Sequence, residues 1–216
     1  MKKIASPLFQ DLSEAELDTL AAAGHLRTRQ FAKHEVIFRA GSCVREIGIV
    51  LRGSVHIENL DLWGTKSILS SVGAGQAFAE TYAFCGEALM VDAVAAEQCE
   101  ILFLHTAAFT DARIEPALQD KLLRRLLAVS MRKNLSLSQR IFCTTPKTVR
   151  GRLLTYFSAQ AARCGRMEFE VPFNRQQMAD YLNLDRSALS KELCKMRDEG
   201  LLEFDKNRFV LKQLPE

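Results

Sequence analysis

Between Pro7 and Gly24 the apolar residues Leu12, Leu17 and Leu20 recur at helical spacing, and Ser13 is followed three residues later by Glu16, the pattern of a capping box. A short amphipathic helix therefore opens the fold. From Arg27 to Leu104 the texture changes to brief runs, EVIFRAG, EIGIVLRGSVHIE, KSILSSVGAG and CEILFLH, parted by Gly, Ser and Asp turns. Runs of this length and spacing predict a β-barrel or sandwich. No internal repeat is present.

Past Phe109 the period lengthens again. Glu115 to Arg140 contains neither Gly nor an internal turn signal, which predicts one long helix. Leu122, Leu126, Val129 and Lys133 approximate one stripe of it, and Leu118, Leu123, Leu127 and Leu135 broaden that stripe. Arg124, Arg125, Arg132 and Lys133 are interspersed, so the helix is not expected to be wholly buried in its own domain. It packs against a copy of itself or lies as a surface helix over the β-domain.

Pro146 ends that section, and TVRGRLLTYFSAQAARCG reads as a separate helix closing at Gly165. MEFEVPF alternates like a strand, two helices follow, and GLLEFDKNRFVLK reads as a hairpin turning at Asp205 to Asn207. Helix, strand, two helices and hairpin is the order of a winged helix-turn-helix. Its sharpest segment is NRQQMADYLNLDRSALSKELCKM, from Asn174 to Met196. Asn174 caps the first helix and Gln177 completes a capping box. Asn183 sits at a left-handed turn and Asp185 caps the second helix. Ala179 keeps the helix contact small and Leu189 fills the angle between the two helices, with Met178, Leu182, Leu184 and Leu193 as the remaining lining. Glu192 departs from the usual pattern, standing where a second apolar residue often lies.

On this reading the outward face of the second helix carries Arg186, Ser187, Ser190 and Lys191, the residues expected to reach bases in a major groove. Arg186 has the forked geometry for a guanine edge. Asn174, Arg175 and Gln176, at the start of the first helix, are expected to meet backbone phosphates. The alternative for this stretch is an ordinary helical hairpin.

Composition adds little until its distribution is considered. The chain has 216 residues, 25% of them charged and 48% apolar, which is ordinary globular usage. The formal charge is only +3, but Thr144 to Glu216 hold 13 Lys and Arg against 10 Asp and Glu, so the whole excess lies at the C-terminal end. The six cysteines are widely spaced and form no CxxC pair, which suits reduced thiols. The start reaches Asp11 without a signal-peptide apolar run and no stretch is long enough to span a membrane, so the expected location is the cytoplasm.

The chain resembles the catabolite activator and FNR (CRP/FNR) superfamily of bacterial transcription regulators. The likeness runs from the PLF-type N-terminal helix through EVIFRAG and GIVLRGSVHI to the helix-turn-helix, with Gly41, Gly53 and Gly75 at the turns of a β-roll. It implies an α+β fold in which residues 1–112 form a cyclic-nucleotide-binding-like sensor β-roll with its N-terminal helix. Residues 113–142 would then form a dimerisation helix and 143–216 a winged helix-turn-helix domain. It also implies an effector-responsive homodimer on a palindromic operator in double-stranded DNA. RNA polymerase would be a partner only of an activator. FNR-like members read bases with Glu, Ser and Arg, and the matching positions here are Ser187, Ser190 and Lys191, which argues against an FNR-type target. Arg186 matches a base-reading arginine of the activator proteins.

Members that bind cyclic nucleotides use a Gly-Glu pair and, ten residues after the Glu, an Arg-Ser pair. Here these positions hold Ala79 and Glu80, then Met90 and Val91. A buried phosphate without a matched cation carries a desolvation penalty that two apolar side chains do not offset. No cyclic-AMP response is therefore expected. Glu80, Tyr82, Phe84, Met90 and Val91 either line a more apolar pocket for an unidentified small-molecule effector, with the long helix as its lid, or are simply core. No cofactor is identified and no metal site is expected. The first cysteine is Cys43, so iron–sulfur chemistry on an N-terminal cysteine cluster is not expected, and His25, His34, His56, His105 and the cysteines are haem-ligand candidates by type alone. Thiol sensing by Cys85, Cys99 or Cys143 would need proximity and lowered pKa values. The runner-up function is a small-molecule or redox sensor or interaction protein on the same fold, without specific DNA binding. An enzyme has no support, since no P-loop, HExxH or GxSxG motif occurs.

Overall fold

The apolar runs between Arg27 and Leu104 pair into two antiparallel sheets in a computed structural model that describes residues 4–60 and 66–212. After α1 (Glu14–Ala22) come β1 (Leu26–Phe31), β2 (Val36–Phe38), β3 (Glu46–Arg52), β4 (Ser54–Leu60), β5 (Lys66–Gly73) and β6 (Ala77–Phe78). A short helix α2 (Glu80–Cys85) precedes β7 (Asp92–Ala95) and β8 (Cys99–His105). One sheet runs β1-β8-β3-β6 and the other β2-β7-β4-β5. Residues 1–3, 61–65 and 213–216 lie outside the described set.

Alternation along β3 and β8 explains why these strands read as continuous apolar runs. One set of their residues, with Val50, Ile101 and Phe103, faces Val55, Ala93 and Ala95 of the second sheet. The other set, Ile47, Ile49, Leu102 and Leu104, packs beneath Leu17 and Leu20 of α1. A sheet covered on both faces has no polar side to show. Gly53 links β3 to β4 at φ +79°, and a Cβ there would stand 2.7 Å from the Gln98 carbonyl oxygen and 2.8 Å from Cys99 Cβ, so only glycine fits this turn.

The long helix is α3 (Pro116–Thr144), extending four residues beyond the expected Arg140. Leu118, Leu122 and Leu126 join the core beneath α1, whereas Leu123, Leu127 and Leu135, grouped with them by the sequence pattern, are exposed. Two compact units result, 1–132 and 133–216, with the division inside α3.

The second unit continues with α4 (Val149–Cys164), β9 (Glu168–Glu170), α5 (Arg175–Leu182), α6 (Arg186–Asp198), β10 (Leu202–Asp205) and β11 (Arg208–Leu211). Thr148 caps α4 through the Gly151 N–H, and Gly165 ends it in the left-handed conformation. The three strands order as β10-β11-β9, and Tyr156, Phe157, Phe169 and Phe209 fill the core between sheet and helices. The element order is that of a winged helix-turn-helix.

Candidate nucleic-acid interface

The interface is built from α5, the turn after it and α6. Asn174 Oδ1 accepts from the Gln177 N–H at 2.9 Å, and Gln177 Oε1 accepts from the Asn174 N–H at 2.9 Å, closing the expected capping box. Asn183 takes φ +57°, ψ +49°, the left-handed geometry the turn requires. Asp185 Oδ1 accepts from the Ala188 N–H at 2.9 Å and from the Ser187 hydroxyl. These bonds, the hydroxyl foremost, hold the Asp185 carboxyl below its ordinary value. Ala179 and Leu189 are fully buried at the contact, as are Met178, Leu182 and Leu193.

Arg186, Ser187 and Lys191 are exposed and Ser190 is half-buried. All four project from the first two turns of α6, away from Leu189 and Leu193. This is the arrangement a groove-reading helix requires.

The three residues assigned to phosphates each also have a place within the protein. Asn174 is the cap, and Gln176 Nε2 donates to Asp180 Oδ1 at 2.9 Å. The Arg175 guanidinium lies 4.9 Å from the Phe204 ring centroid and 5.1 Å from that of Phe209, which fixes the start of α5 against the hairpin. Burial there lowers its pKa. Pro172, Phe173, Asn174, Arg175, Lys206 and Asn207 line a cleft of 430 Å³ between α5 and the hairpin tip.

Glu192 shows why a charge can replace an apolar residue on α6. Arg150 of α4 donates from Nε to Glu192 at 2.6 Å and from Nη2 to Glu199 at 3.0 Å, so an ion-pair cluster fastens α6 to α4 while Leu193 supplies the buried contact. Two further arginines were not found from the sequence. Arg152 donates from Nη1 to the carbonyls of Leu182 at 3.1 Å and Asn183 at 2.7 Å, and Arg140 donates to those of Tyr181 and Asp180, both at 3.0 Å. Together they satisfy the carbonyls at the end of α5 and hold the turn. Nothing in their spacing signals this, because the partners are backbone atoms 30 to 41 residues away. Arg150 and Arg152, two of the thirteen basic residues from Thr144 to Glu216, thus have partners within the protein.

In the first unit, Ala79 precedes α2 at φ +61°, the left-handed geometry that suits the glycine of nucleotide-binding relatives. Of the expected pocket residues, Glu80 is 5% exposed, whereas Phe84 is 51% and Met90 77% exposed. Phe84 instead meets Phe109 edge-on, ring centroids 5.5 Å apart. Of the thiols offered as sensors, Cys99 and Cys143 are buried, and desolvation pushes both upward in pKa, opposite to what a reactive thiolate needs. His25 Nε2 lies 2.7 Å from Asp111 Oδ2, a structural pairing.

Comparison with known proteins agrees with this architecture. The family model described as cyclic nucleotide-binding domain matches residues 28–113, and that described as Crp-like helix-turn-helix domain matches 151–216. The catabolite activator protein of Thermus thermophilus is 25% identical, with 96% of this chain and 94% of that one covered at a TM-score of 0.50. FixK2 from Bradyrhizobium japonicum is 19% identical, covering 87% and 93% at a TM-score of 0.52. The c-di-GMP responsive global regulator CLP of Xanthomonas campestris is 19% identical, covering 93% and 100% at a TM-score of 0.55. No curated protein matches the sequence.

Proposed function

Since this chain belongs to the CRP/FNR superfamily of DNA-binding transcription regulators, we propose that it acts as a homodimer on a palindromic operator, under control of an effector sensed by its β-domain. The outward face of α6 carries the proposal. Arg186 takes a guanine edge with two parallel hydrogen bonds, and Ser187, Ser190 and Lys191 contact neighbouring bases or phosphates. Asn174, Arg175 and Gln176 position the duplex from the start of α5, where the first-turn N–H groups suit phosphate oxygens.

Dimerisation rests on α3. Leu123, Leu127, Met131 and Leu135 repeat every four residues and, with Leu137, Ile141 and Phe142, are between 46% and 66% exposed. An apolar side of this length is covered most simply by the same side of a second copy. Half-sites then lie one helical turn apart, about 34 to 36 Å.

Cyclic AMP is not the proposed effector. Met90 and Val91 stand where nucleotide-binding members place the phosphate-holding Arg-Ser pair, and Met90 is 77% exposed. A cytoplasmic location and contact with RNA polymerase, should the protein activate transcription, accompany this reading. A gel-shift assay with operator DNA selected from a random pool tests it. Arg186→Ala and Lys191→Ala should each weaken binding, and unchanged binding in both would refute the base-contact assignment. The effector is sought by the absorption spectrum of protein purified without air and by mass spectrometry of what co-purifies.

A further inference from the structure

Within the exposed apolar side of α3 lies a narrower pattern. Leu123, Leu127, Ser130, Asn134, Leu137 and Ile141 follow one another at steps of four and three, the spacing that keeps residues on one line along a helix. In heptad terms Leu127, Asn134 and Ile141 take one core position, and Leu123, Ser130 and Leu137 take the other. The four apolar members are between 46% and 66% exposed, and Asn134 is exposed with them. Such a line is removed from water only when a second helix lies along it.

Asn134 is the anomaly in this line. Once the seam closes, its amide loses water and needs a hydrogen-bonding partner. The amide carries both an acceptor oxygen and a donor NH2 group, so a second asparagine amide complements it. Two copies aligned in parallel and in register set Asn134 opposite Asn134. A slip of one heptad sets it against Leu127 or Ile141 and leaves it unpaired. The residues beside the seam choose the orientation. In the parallel pair, Lys133 of one copy lies next to Ser138 of the other. An antiparallel pair on the same seam matches Asn134 with Ser130 but brings Lys133 against Lys133, and like charges in contact oppose association.

We propose that Asn134 is the partner-selecting residue of α3: its amide pairs with the same amide of a second copy and fixes a parallel, in-register homodimer. The proposal rests on the homodimer reading given above and adds to it the residue by which one copy chooses another. A polar residue at a core position costs association strength and returns specificity, because it excludes the registers in which it stays unpaired.

The test is sedimentation equilibrium of the full-length protein over a dilution series at physiological ionic strength, with circular dichroism to confirm that each variant keeps its helical content. Asn134→Asp and Asn134→Lys should each raise the dimer Kd at least about tenfold, because each sets like charges face to face. An equimolar mixture of the two should associate as tightly as the wild type, since only a pair with position 134 opposite itself brings the unlike charges together. Asn134→Ile should lower the Kd, because it removes the buried amide from the seam. A wild type that stays monomeric throughout would overturn the homodimer reading and this proposal with it. A dimeric wild type whose Kd is unchanged in all three variants, or a mixture no tighter than its separate components, would overturn the role of Asn134 alone.

Discussion

Asn183 is a residue whose role follows from conformation. A non-glycine residue at φ +57° is tolerated at this turn because asparagine bears the left-handed region better than other side chains. Asn183→Ala should cost about 1 kcal/mol in urea unfolding, whereas Asn183→Gly should retain stability. Asn174→Ala removes the cap of α5 and should cost about 1 kcal/mol, read the same way. These sites were legible in the sequence, as were Asp185, Gln177 and the Ser13–Glu16 box, because a cap and its partner lie within three residues of one another. Arg140 and Arg152 were not, since they serve carbonyl groups, which have no sequence identity. Arg175 looked like a phosphate ligand by type, and the structure adds a stacking role on Phe204 and Phe209 that only the wing's placement reveals.

For the elements, the cap of α6 has a pH signature. The Asp185 carboxyl lies below its unfolded value, so folding favours the ionised form. Its contribution is complete above about pH 4, the unfolded range of an aspartate, and is lost as pH falls through the lower folded value. The urea midpoint of the wild type should therefore exceed that of Asp185→Ala by a constant margin from pH 7 to pH 5, and the margin should shrink below pH 4. A margin independent of pH would contradict a charge-based cap. On α3 the helix was legible to within four residues of its end, but its two sides were merged. Leu118, Leu122 and Leu126 enter the core while Leu123, Leu127 and Leu135 do not, and a stripe this broad separates only when one side meets a sheet. Leu127→Glu with Leu135→Glu should convert the proposed dimer to a monomer in sedimentation equilibrium while leaving helical content unchanged.

At the scale of the whole molecule the proposed function is divided between the two units. The β-domain was legible as short strands with Gly53 and Gly75 at turns, because both glycines hold left-handed backbone there. Its ligand was not legible, because Glu80, Tyr82, Phe84, Met90 and Val91 are neighbours in sequence yet differ widely in burial. Ala79 holds left-handed backbone at φ +61°, and on the proposed reading Met90 and Val91 stand where a phosphate-holding Arg-Ser pair would be needed. Adding cyclic AMP should leave operator affinity unchanged in a gel shift. Two α6 helices, one from each copy, reading half-sites a helical turn apart is the claim on which this account depends. Fluorescence-anisotropy titration of one selected palindrome and its scrambled counterpart at physiological salt tests it most directly. The account predicts two chains per duplex, affinity for the palindrome at least about 10³-fold above the scrambled DNA, and loss of much of that preference in Arg186→Ala. Equal affinity for the two duplexes, or full discrimination by Arg186→Ala, would contradict it.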